Sequence, residues 1–557
     1  MTPVSEMLAA TLAQADFQPR LPRQRRLYEA AKAAIYQNRL AAGSKLPSSR
    51  DLAADLGIAR NTVIAAFEQL AAEGYVVSVA GSGTYVADLQ AMARAQRGER
   101  NVRTTGSNEQ APRGEQDVIH ATVAVRPATV ARASRIAVNA LGTADAANAG
   151  RHAAWAGDDA DDTAALPAAA TLSRRGMELT RFAAGARYEI QPFAPGEPDF
   201  SSFPVKQWQR LQNRVWRDSR ADLLDYGQSG GYLPLRRAIT EYLRLSRSVS
   251  VSVDQVLITS GTQQSLDLCA QLLADAGDTA WVEDPCYWGA RRVFQARDLH
   301  LHPVTVDEDG MALDADDLAT APRLVYVTPS HQYPTGAVMS LARRRALLEA
   351  AARKNAWILE DDYDSEFRYS GRPLASLQGL DGGNRVVYMG TFSKVLYPGI
   401  KVGYLVAPPA LVEPFKSALY DLQRPGQLMV QATLADFIAQ GHFTTHVRKL
   451  RHTYGARREL LRRTLSRHLG TEAGQLATIS RQESGLHLVV ELPDWADDVA
   501  LHDQAHDTGL SVNALSTYYL APPIRKGLLV GYAYVTEEKI EHYGKALAAL
   551  IRHALRP

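Results

Sequence analysis

The 557-residue sequence has only two cysteines, Cys269 and Cys286. Two are too few for a disulfide scaffold or a multi-cysteine zinc site. Such scarcity fits a reduced, cytoplasmic setting. No apolar run approaches the ~20 residues that a membrane span needs. The opening MTPVSEMLAA lacks the basic-then-apolar pattern of a secretion signal. Net charge is nearly absent, since 62 Lys and Arg against 60 Asp and Glu leave +2. Apolar residues at 46% and charged residues at 22% are ordinary for a globular chain. That balance excludes collagen, a coiled-coil rod and wholesale disorder. The length calls for two or three domains.

One absence is local. Residues 89–180 contain no lysine, and 20 of the 50 residues from 121 to 170 are alanine. Large apolar side chains are scarce there, and Gly157-Asp158-Asp159-Ala160-Asp161-Asp162 is a charge run. Such a segment cannot offset the entropy lost on folding, so a long flexible linker is expected over 89–180. Treated as a coil, it reaches ~50 Å root-mean-square. It divides the chain into a first part, 1–88, and a last part, 181–557.

The first part is where charge collects. Residues 18–60 carry nine Lys and Arg but only three acids, a basic island that suits a polyanion partner. Leu27, Ala31, Ala34 and Ile35 recur at helical spacing over 25–37. Ser48 or Ser49 is a good N-cap, with Asp51 in the first turn of a helix over 50–56 that Gly57 ends. A second short helix begins at Ala59-Arg60-Asn61-Thr62, runs to Glu73 and stops at Gly74; Val63, Phe67 and Leu70 mark its inner face. A hairpin follows, Tyr75–Val79 and Thr84–Val86 about Ala80-Gly81-Ser82-Gly83. The glycines lack the third glycine and following helix of a nucleotide loop. Two helices joined tightly match helix-turn-helix geometry. Arginine pairs with guanine and asparagine with adenine, so Arg60, Asn61 and Thr62 are the candidate base readers. Arg50 and the wing at Gly83 are placed to meet phosphate. The stretch Leu46–Ala53 through Thr62-Val63, Glu73-Gly74-Tyr75 and Gly81–Val86 resembles the GntR-family winged helix. The resemblance implies a double-stranded DNA operator as partner.

The last part alternates short apolar runs with helix-like stretches: Val256–Ile258, Leu324–Val327, Trp357–Leu359, Arg385–Tyr388 and Val402–Val406. Runs greasy on both faces suit strands of a buried, mostly parallel sheet. Five polar motifs stand where such strands end, which is where open α/β sheets bind ligands. The first is Thr391-Phe392-Ser393-Lys394, with Pro398-Gly399-Ile400-Lys401 just beyond. A lysine beside a buried strand is costly unless used, and Schiff-base chemistry with an aldehyde uses it. Thr391, Ser393 and Lys401 offer hydroxyls and charge to a phosphate. The second is Glu360-Asp361-Asp362-Tyr363. A carboxylate beside a pyridine nitrogen keeps it protonated and makes the ring an electron sink; Asp361 is assigned to that nitrogen and Tyr363 to a ring hydroxyl. Acid clusters also bind metal, but no His/Cys ligand set accompanies this one, so no metal is expected. The third is Ser260-Gly261-Thr262-Gln263, a glycine turn opening a helix toward an anion. The fourth, Glu283-Asp284-Pro285-Cys286-Tyr287, offers Tyr287 to stack on a flat ring, with Cys286 a small apolar neighbour. The fifth is Thr328–Gly336.

Together these residues describe a pyridoxal phosphate site, and residues 181–557 resemble a fold-type I aminotransferase of class I/II. The fold expected is α/β: an N-terminal winged helix-turn-helix, then a mostly parallel large subdomain and a smaller C-terminal α+β subdomain. The resemblance implies Lys394 as the Schiff-base lysine. It implies Gly261, Thr262, Gln263, Thr391, Ser393 and Lys401 around the phosphate. It also implies that Tyr226, in Asp225-Tyr226-Gly227, reaches the cofactor of a partner subunit in a homodimer. Head, linker and body together resemble the MocR subfamily of GntR-type regulators. This implies a transcription regulator that senses pyridoxal phosphate or an amine or amino-acid-like effector through an aldimine at Lys394. The alternative is a working aminotransferase with a DNA-binding appendage.

Three departures from the aminotransferase pattern stand out. Tyr333-Pro334-Thr335-Gly336 replaces the usual Asn-Pro-Thr-Gly, leaving His331 or Gln332 to stand in for the asparagine. Lys401 stands where a phosphate arginine is common. The run Leu528–Ala533 lacks the arginine that carboxylate-binding members carry, and Arg525 only lies close. His442, His446 and His452, among Arg448, Lys449 and Arg451, read as a solvated basic helix face. Gly485-Leu486-His487 fits a strand of the small subdomain.

Overall fold

The structure is a computed structural model. Apart from short interruptions it describes residues 3–86 and 191–555, with Leu172, Ser173, Arg175 and Gly176 between them. The linker expected over 89–180 otherwise lies outside the described residues, as do Gly81 and Ser82.

The head is built from α1 (Pro3–Ala13), α2 (Arg23–Tyr36), α3 (Ser49–Leu56), α4 (Arg60–Ala72) and the hairpin β1 (Val76–Val79) and β2 (Gly83–Val86). Ser48 is the N-cap of α3, its hydroxyl accepting from the Asp51 N–H, and Gly57 closes the helix at φ 62°. Leu27, Ala31, Ala34 and Ile35 of α2 are buried against Leu52, Val63, Ala66 and Leu70. Phe67 only borders this core. The wing is wider than a two-stranded hairpin. Leu46 N–H donates to the Thr84 carbonyl at 2.8 Å and Val86 N–H to the Ser44 carbonyl at 2.9 Å, so the chain before α3 adds a third edge. Helix α1 was not anticipated; Ser5 and Leu8 are buried, and Arg26 of α2 donates to the Leu12 carbonyl at 2.8 Å.

The body centres on an eight-stranded sheet. Its strands are β3 (Val256–Thr259), β4 (Thr279–Asp284), β5 (His300–Asp307), β6 (Gly310–Met311), β7 (Leu324–Val327), β8 (Trp357–Asp362), β9 (Val386–Thr391) and β10 (Gly403–Val406). Their order is β3-β10-β9-β8-β7-β4-β5-β6. The pairs β4–β5, β4–β7, β7–β8 and β8–β9 are parallel. Strand β10 runs against both neighbours, β3 and β9, and β6 against β5. All four residues of β3, β7 and β10 are buried, as helices on both faces of a sheet require. A second sheet, β11 (Thr478–Ile479), β12 (His487–Leu492), β14 (Lys526–Gly531) and β13 (Asn513–Ala514) in that order, is wholly antiparallel. It forms the smaller subdomain with the helix Glu537–Ala554.

Two expectations are corrected. The acids of β8 belong to the strand rather than following it, and the same holds for Glu283 and Asp284 in β4. An apolar-run rule ends a strand at its first carboxylate, but here hydrogen bonds inside the protein take the place of water. His446 is not on a solvated face. It is buried, and its Nε2 donates to the Val395 carbonyl at 3.0 Å. Phe443, Val447 and Leu450, also buried, share its side of the helix His442–Leu476, whereas Arg448, Lys449, Arg451 and His452 are exposed.

Candidate functional site

The carboxyl ends of β3, β4, β7, β8 and β9 converge on a cavity of about 350 Å³. Its lining includes Gly261, Thr262, Gln263, Tyr287, Asp361, Tyr363, Thr391, Ser393, Lys394 and Lys401. The structure therefore brings together every cofactor residue expected from the sequence except Tyr226. Tyr226 is 61% exposed and lines no part of this cavity.

Pleating selects which acid of β8 faces the cavity. Side chains alternate along a strand, so Glu360 and Asp362 share one face and Asp361 takes the other. Glu360 accepts from the N–H groups of Leu377 and Gln378 at 2.8 and 2.9 Å. Asp362 lies 3.1 Å from Arg247 and accepts from the Tyr388 hydroxyl. Asp361 accepts at Oδ2 from the Tyr326 hydroxyl at 3.0 Å, and its buried Oδ1 has no partner. Burial, reinforced by Asp362, Asp364 and Glu283, pushes its pKa up to about 7. A buried carboxylate with one empty oxygen is what a protonated pyridine nitrogen would satisfy.

The lysine side is equally enclosed. Lys394 sits in the turn after β9, where Ser393 N–H donates to the Thr391 hydroxyl at 3.1 Å. A methyl group added at Gly196 would lie 3.4 Å from the Lys394 Nζ. Opposite, Gly261 (φ 120°) opens the helix Thr262–Leu273 and leaves the first N–H groups of that helix toward the cavity. A side chain at Gly403 would collide with the Gly261 backbone at 2.6 Å, so the bare Gly403 lets the start of β10 touch this turn. Lys401 holds left-handed backbone angles (φ 48°, ψ 45°), a conformation costing on the order of 1–3 kcal/mol in a non-glycine residue. Gln263 Nε2 donates to the Tyr287 hydroxyl at 3.1 Å. The Tyr287 ring meets Tyr333 edge-on at 5.7 Å. These groups fit pyridoxal phosphate: an anion cradle with a cation, an amine, a flat aromatic wall and a lone acid.

The stand-ins expected for the missing asparagine are spent elsewhere. Gln332 donates to the Pro285 and Tyr333 carbonyls at 2.8 Å and accepts from Thr335, which locks its own turn. His331 lies behind Tyr363, its Nδ1 3.0 Å from both the Tyr363 hydroxyl and Asp364. Pro195, Gly196 and Tyr326 were missed. Tyr326 stood in a recognised strand, and its alternation with the buried acid of β8 was a usable signal. Pro195 and Gly196 carry no pattern that marks them.

In the head, Arg50, Arg60, Asn61 and Gly83 are exposed and Thr62 is half-buried. Arg60 donates from Nε to the Ser49 hydroxyl at 3.4 Å, linking the start of α4 to the start of α3. Gly83 has φ 122°, and the stem of Lys45 lies where its side chain would go. That close approach gives the glycine a local reason to be there.

Fold and site define a fused class: a winged helix-turn-helix head on a fold-type I, pyridoxal phosphate-dependent aminotransferase-like body. Residues 23–86 match the model for bacterial regulatory proteins of the gntR family, and residues 189–547 that for aminotransferase class I and II. The chain is 36% identical to the probable rhizopine catabolism regulatory protein MocR of Rhizobium meliloti, over 92% of this chain and 90% of that one. It is 28% identical to the pyridoxine biosynthesis regulator PdxR of Corynebacterium glutamicum, over 92% of each. The body is similar to the α-aminoadipate aminotransferase LysN of Thermus thermophilus, solved with N-(5'-phosphopyridoxyl)-L-leucine. That match has 26% identity and a TM-score of 0.63, and covers 70% of this chain and 99% of that one. The chain belongs to the MocR subfamily of GntR-family regulators; it is a DNA-binding transcription regulator with pyridoxal phosphate as cofactor. Among the described residues no helix is long and apolar enough to cross a membrane.

Proposed function

We propose that the body senses a small amine-bearing molecule, or the cofactor itself, through Lys394, and that the state of this site biases DNA binding by the head. The observation that supports it is the pairing of Lys394 with a lone buried acid, Asp361, in one enclosed cavity. When bound, pyridoxal phosphate supplies an aldehyde that condenses with amines and a ring that draws electrons. The chain supplies the rest. Lys394 offers the amine. Asp361 holds a proton on the ring nitrogen through Oδ1, with Oδ2 fixed by Tyr326. Gly261, Thr262, Gln263, Thr391, Ser393 and Lys401 hold the phosphate, Tyr363 meets the ring hydroxyl, and Tyr287 covers the ring face. Arg60, Asn61 and Thr62 read bases while Arg50 and the wing at Gly83 meet the backbone. The functional divisions are a head of 1–88, a linker of 89–180 and a body of 181–557. The unit is a homodimer in which the exposed Tyr226 completes the partner's cavity. A ligand preferring one body conformation then shifts DNA affinity by its differential binding.

The test is borohydride reduction of cofactor-loaded protein followed by peptide mapping. The label is expected on Lys394, and Lys394→Ala is expected to lose it completely while still binding DNA with no response to cofactor. A label elsewhere, or DNA affinity indifferent to cofactor in the unaltered protein, overturns the reading.

A further inference from the structure

We infer that the effector is a primary amine carrying no acid group. This rests on the reading of Lys394 above and narrows it to a ligand class. The cavity has two cations among its described lining residues, Lys394 and Lys401. One is committed to the aldehyde and the other to the phosphate. No described arginine lines it, and four arginines of the surrounding shell are committed elsewhere. Arg525 pairs with Glu491. Arg291 donates to the Tyr518 and Tyr519 carbonyls at 3.2 and 3.3 Å. Arg344 donates to the Pro329 carbonyl at 2.7 Å, and Arg457 lies 3.0 Å from Asp199.

The wall toward the small sheet is apolar and aromatic instead. Leu529 of β14 is fully buried, opposite Val489 of β12 and Asn513 of β13. It packs with Leu515, Tyr518 and Tyr519, and Tyr333 carries this cluster to the cavity surface. The Tyr333 hydroxyl is 3.1 Å from that of Tyr518, which accepts from Asn513 Nδ2 at 2.8 Å. Behind Asp361 stand two more buried carboxyls, Glu283 and Asp364. A ligand carboxylate or sulfonate would therefore lose water, gain no guanidinium and face an acidic floor. An apolar or hydroxyl-bearing amine meets no such cost. With pyridoxal phosphate bound, its nitrogen would replace the Lys394 nitrogen on the aldehyde carbon: one C=N bond would form as the other breaks, the two hydrogens of the incoming amine would pass to the departing lysine as its –NH2, and nothing would be oxidised or reduced.

The experiment uses full-length protein loaded with pyridoxal phosphate and first shown to carry it on Lys394. Visible absorbance is titrated with tyramine against tyrosine, ethanolamine against serine, and taurine. Each response is divided by that of the same compound with free pyridoxal phosphate. The expected result is that each amine acts at least tenfold below the concentration of its acid-bearing partner, with taurine inert. Leu529→Arg is expected to shrink or reverse the ratio, and the unaltered protein decides the matter if that variant fails to fold. Equal or better response to the acids, or no response to any amine, overturns this inference alone. A cofactor not attached at Lys394 overturns the site assignment and this inference together.

Discussion

The head and the body treat charge in opposite ways. In the head the candidate DNA-contacting side chains stand in water: the cations Arg50 and Arg60 and the neutral Asn61 are exposed, and the core beneath them is aliphatic with two tyrosines, Tyr28 and Tyr75. In the body Glu283, Glu360, Asp361, Asp362 and Asp364 are all buried, none more than 6% exposed. The head spends little stability on its function, because an exposed charge needs no partner. The body holds acids out of water, and burial pushes Glu283, Glu360 and Asp361 each up to about 7. A surface that meets a polyanion works by long-range attraction, whereas a site that reacts with an aldehyde works by excluding water.

The sharpest way to break that contrast is Asp361→Asn. The folded pKa of Asp361 is raised from 3.8 to about 7. Its stabilising effect is therefore full below the unfolded value and is lost as pH rises through about 7. In cofactor-free protein the variant is expected to be the more stable one, by a margin that grows from pH 4 to 7 and then levels. At ~1.4 kcal/mol per pKa unit the plateau is on the order of 4–5 kcal/mol. Denaturant unfolding across pH, with Asn still accepting from Tyr326, measures it. Loaded with cofactor the sign reverses, because the acid then has its cationic partner. Retention of pyridoxal phosphate is expected to fall roughly 10- to 100-fold, an ion pair partly offset by desolvation. If Asn leaves both quantities unchanged, the acid of the cavity is not what sets the body apart.

The matching change in the head is Arg60→Ala. A bidentate arginine–base pair is worth ~1–3 kcal/mol, so operator affinity is expected to drop about 5- to 100-fold. Non-specific DNA is expected to lose less. Folding stability is expected to hold, because Arg60 is exposed and its 3.4 Å hydrogen bond to Ser49 lies at the surface. Fluorescence anisotropy on operator and scrambled duplexes over a salt series separates base reading from phosphate attraction. An equal loss on both duplexes makes Arg60 a phosphate contact.

Legibility followed the same divide. The helix-turn-helix of the head was readable to within a residue, because caps and glycines act locally: the cap at Ser48, the stop at Gly57 and the start of α4 stand at or beside the positions propensity marks, whereas α1 carried no such signal. In the body the apolar runs marked five strands correctly, and the motifs at their ends named most of the cavity. What sequence did not show was whatever depends on burial from afar. His446 looked solvated among Arg448 and Lys449 until Val395 supplied its acceptor. Tyr326 looked like core until the acid opposite it was seen to face the cavity. Strand β13, two residues long, exists only through its pairing with β14.

The smallest expected effect tests whether the head's independence is real. Ser48→Ala removes an N-cap whose hydroxyl accepts from Asp51 N–H at 3.2 Å and donates to the Asp51 carboxylate at 2.6 Å. Losing such a cap costs ~1 kcal/mol, and here the cost falls on α3, which packs beside α4 in one small core. Hydrogen exchange read by mass spectrometry is expected to show faster exchange in peptides from the head and none of that change in peptides around Lys394. The visible absorbance of bound cofactor is expected to be unaltered. Faster exchange spreading to both regions would mean that the two share one cooperative unit. In that case the ligand state of the body reaches the DNA through folding stability itself rather than through a choice between two folded arrangements.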